Sequence, residues 1–284
     1  MLLTLTVRSL ENLLISPGRS KKPPALTFEE MPAYVLGELQ LRGLVVDTSL
    51  LRGWGLDQID RFRTHADQAG CPTLILRESY ALPSRIGDTR VEEQAFERIG
   101  VVARAASRLG CNAMSLVAPT LEPGHDLYAV ATFFRRVMER IDRLELNLLV
   151  EPGRGMLSEP DQLIEMIKKV GGFRIGTMPN FGNAWTAADH LTSLRQTCPY
   201  AGAVLATCGL FEIKSSDALP SPVREPQDQS EELDLIADGV NSLLSVGYEQ
   251  ILALDYVGPG DRDRIAEVVE ATRTRIMTVV EPEG

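Results

Sequence analysis

The sequence predicts an α/β fold, a (β/α)8 TIM barrel occupying residues 1–284 as one domain. Two observations lead there. Short apolar runs alternate with amphipathic stretches about eight times, the count such a barrel requires. The length of 284 residues suits the ~250 residues typical of the architecture. A doubly wound open sheet is the runner-up, but it would carry a glycine-rich phosphate turn after its first strand. Here Arg8, Ser9, Leu10 and Glu11 stand at that place.

Leu2 to Val7 reads as the first strand, and Thr27 as the cap of a helix reaching about Leu39. Leu41 to Val46 is the second strand, ending at Asp47. Leu56 to Ala69 is amphipathic and stops at Gly70. Thr73 to Leu76 is the third strand and ends at Arg77 and Glu78; Val91 to Leu109 is a long helix. Ala113 to Val117 is the fourth strand, followed by a loop with Glu122 and His125 and a helix from Leu127 to Leu144. Thr186 to Gln196 is helical, Gly202 to Ala206 is the seventh strand, and Leu210 to Gln229 is a long polar, proline-bearing segment. Connections of that length inside a domain are often functional. A helix from Glu231 to Val246, a strand from Tyr248 to Leu254 ending at Asp255, and a helix starting at Asp261 complete the chain.

The middle of the chain, Leu146 to Asn183, organises the rest. An apolar run closes on Glu151 and then Pro-Gly, which reads as a buried parallel strand reaching a loop. Ser158 is a plausible N-cap, Pro160 suits a first turn, and Leu163, Ile164, Ile167 and Val170 share a helical face. Gly171 and Gly172 end that helix, and Phe173 to Thr177 is the sixth strand, leading to Asn180 and Asn183. Parallel neighbours share a direction, so this unit delivers Glu151 and Asn180 to one rim.

Composition limits the partners. The net charge of −10 argues against nucleic acid and against an anionic membrane surface. No apolar run approaches the roughly 20 residues of a spanning helix. Cys71, Cys111, Cys198 and Cys208 form no Cys-x-x-Cys pair, so they read as small buried residues of a reducing, cytoplasmic compartment.

The strand ends Val150-Glu151, Gly176-Thr177-Met178-Pro179-Asn180-Phe181-Gly182-Asn183 and Leu254-Asp255-Tyr256-Val257-Gly258-Pro259-Gly260-Asp261 resemble the xylose isomerase-like TIM barrels, and more narrowly their sugar phosphate isomerase/epimerase group. The resemblance implies one divalent metal at the barrel mouth, held by a Glu, an Asp, a His and a Glu at the ends of strands five to eight. Glu151 matches the first; Asn180, Thr207 and Asp255 stand where the others are expected. Glu151, Asn180 and Asp255 still offer oxygens suited to Mg²⁺ or Mn²⁺, with less charge, and the missing imidazole removes the ligand that best suits zinc. A weak or absent metal is therefore part of the expectation.

A carboxylate closing an apolar strand needs a metal, a cation or a raised pKa. Arg154 is the cation the sequence puts nearest Glu151, as the metal-free pairing. Within the resemblance, Glu151 and Asp255 are the catalytic acid/base pair. Arg154, Asn183, Thr207, His125, Trp54 and Trp185 are candidates for contacting substrate, the tryptophans as aromatic walls for a sugar ring or, as often in such loops, as simple packing. Asp47, Arg77 and Glu78 also end strands and are candidates to line the mouth, with Arg77 and Glu78 equally readable as an outward pair; Lys214 and Arg224 lie in the long loop. His65 and His190 fall on helices.

The implied activity is isomerisation or epimerisation of a sugar, sugar acid or polyol by proton transfer next to a carbonyl. Dehydration or lysis of similar substrates uses the same groups. The alternative is a barrel that has lost its chemistry and serves as a binding or partner subunit, motivated by the altered ligand set. The related endonuclease branch needs a histidine-rich zinc site, and this chain has 3 histidines. A homo-oligomer is common for such barrels, though no stretch specifies one.

Overall fold

The structure, a computed structural model, describes residues 1–14, 24–122, 124–184, 189–213 and 226–281, with the side chains of 183 and 184 excepted. Eight parallel strands follow the chain: β1 (Leu2–Thr6), β2 (Leu44–Asp47), β3 (Thr73–Glu78), β4 (Ala113–Val117), β5 (Asn147–Glu151), β6 (Ile175–Thr177), β7 (Ala203–Cys208) and β8 (Ile251–Tyr256). They pair in the order β6-β5-β4-β3-β2-β1-β8-β7. The remaining seam, between β6 and β7, carries the parallel bridges Thr177 to Ala201 and Asn180 to Leu205. The predicted (β/α)8 TIM barrel is thus the fold.

The outer layer holds α1 (Glu11–Leu14), α2 (Met31–Gly37), α3 (Leu56–Ala69), α4 (Thr89–Leu109), α5 (Leu127–Ile141), α6 (Pro160–Val170), α7 (Phe181–Ala184), α8 (His190–Thr197), α9 (Gln229–Ser245) and α10 (Arg262–Val280). Local chemistry sets several of their limits. Asp88, Asp126, Asp228 and Asp261 cap α4, α5, α9 and α10 by accepting from first-turn amides. Gly70 and Gly110, both left-handed, end α3 and α4.

Strand alternation sorts the apolar side chains into two cores. The large one fills the space between strands and helices and includes Leu76, Met114, Leu148, Val150, Val204 and Leu254. The small one lies inside the barrel: Val45, Ile75, Ala113, Leu149, Met178, Ala203, Leu205 and Ala253. Filling by layers of side chains makes the barrel a packed core and not a pore.

Some boundaries differ from expectation. The second strand begins at Leu44, because the Leu41 amide bonds Val35 O in the turn that leaves α2. Thr27 and Glu30 form the reciprocal capping contacts, yet a turn intervenes and the helix begins at Met31. Ser158 does not cap α6; its hydroxyl donates to Gly155 O at 2.7 Å inside a short 3-10 turn. The sixth strand begins at Ile175, since Gly171 and Gly172 both take positive φ and leave Phe173 91% exposed. Parts of the segments 17–24, 186–196 and 210–229 lie outside the described residues, Lys214 and Arg224 among them.

All four cysteines are buried and free. Among the described residues, no helix is long and apolar enough to cross a membrane.

Candidate active site at the barrel mouth

A strand with period two places residues i and i+2 on the same face. Two positions beyond the small inner core come Asp47, Arg77, Ser115, Glu151, Asn180, Thr207 and Asp255, and Thr6 follows the buried Thr4 on β1 in the same way. Seven strands and the segment just after β6 therefore each give one polar side chain to the layer above the inner core, at the C-terminal rim where catalytic groups of such barrels sit.

Arg77 is the hub of this layer. Its Nε lies 2.8 Å from Glu151 Oε1 and its Nη2 2.7 Å from Glu151 Oε2, while Nη1 donates to Asp47 Oδ1 at 2.9 Å. Ser115 Oγ donates to Glu151 Oε1 at 2.7 Å, and Ser79 Oγ to Asp47 Oδ1 at 2.8 Å. Burial works against the Arg77 cation, but Glu151 and Asp47 outweigh it and raise its pKa. Asp47 is 1% exposed, and desolvation outweighs Arg77 and Arg8 and raises its carboxyl. Its Oδ2 is buried with no hydrogen-bond partner among the described residues.

A second pair sits beside the first. Asp255, fully buried, accepts from Thr6 Oγ1 at 2.6 Å and from Arg8 Nε at 2.7 Å, and Arg8 Nη2 meets its other oxygen. Desolvation favours the neutral acid, yet Arg8, Arg77 and Thr6 together hold Asp255 below the ordinary carboxylate value. Asn180 and Thr207 form a third unit. Thr207 Oγ1 donates to Asn180 Oδ1 at 2.5 Å, and the Gly182 amide donates to the same oxygen at 2.6 Å.

The structure thus brings Glu151, Asn180, Thr207 and Asp255 to one rim. Arg154 does not pair with Glu151: it is exposed, because Gly153 and Gly155 press the loop onto the rim of β4 and turn it outward. A Cβ on Gly153 would lie 2.4 Å from Ala118 O, and one on Gly155, at φ +73°, 2.1 Å from Leu121 O. Trp54 turns toward the helical layer, edge-on to Phe28 at 4.8 Å and Phe62 at 5.7 Å. It packs there and does not wall the mouth. His125 is half-buried in the loop before α5, its amide bonded to Glu122 O. The Asn183 side chain and Trp185 lie outside the described residues.

Arg77 and Glu78 separate to opposite faces. Glu78 points outward, to Arg98 on α4 at 2.8 Å, so the expected outward pair is replaced by one inward and one outward ion pair. Arg77 stands where the sequence already puts a candidate mouth residue, though not as the partner of Glu151; Arg8 is the rim cation that sequence reasoning missed. The phase of Ile75 and Arg77 was a legible signal; Arg8 follows β1 in a 3-10 turn and had none.

The donor set does not fit a divalent cation. Each oxygen expected to bind one already accepts from the protein: Glu151 from Arg77 and Ser115, Asn180 from Thr207 and Gly182, Asp255 from Arg8 and Thr6. Two guanidinium groups also supply positive charge against the three carboxylates. Among the described residues no group of three or more His, Cys, Asp or Glu side chains is arranged to hold a metal ion.

The loop after β8 explains the second motif. Tyr256 Oη lies 2.6 Å from both Glu212 Oε2 and Pro259 O, and Glu212 pairs with Arg264 at 2.5 Å. A Cβ on Gly258 would meet Glu212 Oε2 at 2.5 Å. The Tyr-Val-Gly-Pro-Gly-Asp run is a clamp that fixes the rim beside Asp255.

The barrel agrees with the family comparison. Residues 41–274 match the model of the xylose isomerase-like TIM barrel, and the chain belongs to that family. Among solved structures, D-psicose 3-epimerase with D-tagatose from Clostridium cellulolyticum H10 is similar, with a TM-score of 0.74, 12% identity, and coverage of 99% of this chain and 100% of that one. An L-ribulose 3-epimerase gives a TM-score of 0.72 at 12% identity over 99% and 95% of the two chains. IolI protein, solved with a bound zinc atom, gives 0.71 at 11% identity over 99% and 98%. At these identities the likeness is one of fold. No curated protein matches significantly by sequence.

Proposed function

We propose that the protein is an isomerase or epimerase that moves a proton next to the carbonyl of a carbohydrate-like small molecule. The observation that carries this reading is the buried polar layer with Asp47, Glu151 and Asp255 at the mouth of the barrel. Buried charge costs several kcal/mol per ion before pairing. A barrel retained only for its shape would be at least as stable with apolar side chains there.

Within this reading Glu151 and Asp255, on β5 and β8, are the acid/base candidates, reaching a bound sugar from different sides of the ring of strands. Each is engaged by a guanidinium in the free protein, so substrate must displace part of that contact before either takes a proton. Asp47 is a further acceptor: its Oδ2 has no partner among the described residues, so a substrate that opens the buried rim displaces no hydrogen bond from it, and its raised pKa suits a general base better than the depressed Asp255. Arg77 and Arg8 are placed to donate to an oxygen that gains charge as the proton leaves. Thr207 and His125 are the candidate hydroxyl contacts. The sugar-processing neighbours support the substrate class.

The test is product analysis by NMR across ketoses, aldoses, their phosphates and keto-polyols. Interconversion of an epimer or aldose–ketose pair, lost in Asp47→Asn and Glu151→Gln, is expected. No turnover anywhere on the panel would leave the binding-subunit reading standing.

A further inference from the structure

We infer that the Arg77 guanidinium is the resident cation of this site and covers the two Glu151 oxygens that a divalent metal would otherwise use, while also holding Asp47. The inference deepens the proposed function but rests on geometry that stands without it.

Arg77 is 8% exposed and rises from inside the barrel wall, two residues above Ile75 of the inner core. Three of its nitrogens are committed. Nε and Nη2 take both oxygens of Glu151, and Nη1 takes Asp47 Oδ1. The planar fork fixes both carboxylates at once, which a flexible ammonium does not do. Glu151 is the one position of the resemblance's four ligands that keeps its residue type, and its two oxygens are the ones Arg77 covers.

The same substitution runs around the rim. Asp255 is covered by Arg8, and Asn180 faces Thr207 in a neutral hydrogen-bonded pair. The positive charge arrives from β3 and from the turn after β1 as the acidic and imidazole ligands are lost from β6 and β7. A guanidinium does not dissociate and does not bind hydroxide, so it acts as an electrostatic clamp and hydrogen-bond donor to a carbonyl oxygen. Chelators cannot remove it. The free Oδ2 of Asp47 lies on the carboxylate that Arg77 holds, so donor and proton acceptor form one unit.

Manganese binding tests this apart from activity, read by the loss of the free Mn²⁺ electron paramagnetic resonance signal. Wild-type protein and Arg77→Lys, which keep the charge, are expected to take up no Mn²⁺ at 100 µM protein and metal (about 10⁻⁴ M). Arg77→Ser, which opens the space between Glu151 and Asp47, is expected to bind about one Mn²⁺ per chain, at least tenfold tighter than wild type. Stoichiometric uptake by the wild-type protein overturns the inference, whether or not a substrate is ever found. If Arg77→Ser does not fold, the wild-type and Arg77→Lys titrations decide alone. A failed substrate panel with no Mn²⁺ uptake leaves the resident cation supported and removes only the proposed reaction.

Discussion

Arg77 and Glu151 meet fork to fork inside the barrel, with Nε 2.8 Å from Oε1 and Nη2 2.7 Å from Oε2, although the two residues are 74 positions apart. They are brought together because β3 and β5 both pair with β4 and run parallel to it. Ser115, on the strand between them, donates to the same carboxylate. The contact is charge-assisted and bidentate, the strong class of hydrogen bond.

Breaking it from one side leaves unpaired charge. Arg77→Met is expected to destabilise the protein by about 3–5 kcal/mol, because Glu151 and Asp47 stay buried without their cation. The double variant Arg77→Met with Glu151→Leu is expected to recover part of that loss, since a buried pair replaced as a unit is often near neutral. Urea melts of the two variants and the wild type check this; equal losses in both would contradict it.

The pH dependence has two opposite parts. Glu232 on α9 is 1% exposed, and burial raises its pKa to about 6 even though it accepts from the amides of Gly209 and Leu210. Its contribution favours the folded state below about pH 4.5 and is lost as pH rises through about 6, an effect of order ~2 kcal/mol. Asp255, whose folded value is lowered, contributes in the other sense: its stabilisation is present above pH 3.8 and is lost as pH falls through its lowered value. Thermal melts from pH 7 to pH 5 are expected to show a rise in the wild type relative to Glu232→Gln. Coincident profiles would remove Glu232 as the cause.

Gly155 holds the loop after Glu151 against the rim. With φ +73° and a virtual Cβ 2.1 Å from Leu121 O, Gly155→Ala is expected to cost roughly 1–3 kcal/mol and to lower activity by moving Glu151. The matched control is Gly53→Ala, which shares a positive φ but meets no atom within 4 Å. A control as damaging as Gly155→Ala would show that backbone strain alone, and not the rim contact, sets the cost.

The fold was legible because its signals are local. Short continuous apolar runs and glycine stops locate all eight strands, and Ala113 to Val117 coincides in full. The errors fell where sequence carries little phase: Phe173 looks like a strand residue, but two positive-φ glycines precede it and expose it. In the site, Glu151 and Asp255 were visible as acids closing apolar strands. Their partners were not. Arg154 is the cation nearest Glu151 in sequence, whereas Arg77 and Arg8 reach the acids only through strand pairing, Arg8 across 247 positions. For Trp54 its place after a strand end leaves a mouth wall and simple packing equally open, and the aromatic contacts with Phe28 and Phe62 decide for packing.

In the proposed reaction the rim exchanges a proton next to a carbonyl while Arg77, and no metal, supplies the positive charge. Incubation of wild-type protein in D₂O with each panel ketose and excess EDTA tests it by mass spectrometry and NMR. One deuterium on the carbon beside the carbonyl, undiminished by EDTA and lost in Asp47→Asn and Glu151→Gln, is the predicted result. Exchange abolished by EDTA and restored by Mn²⁺ would contradict the account, and so would no exchange with any ketose.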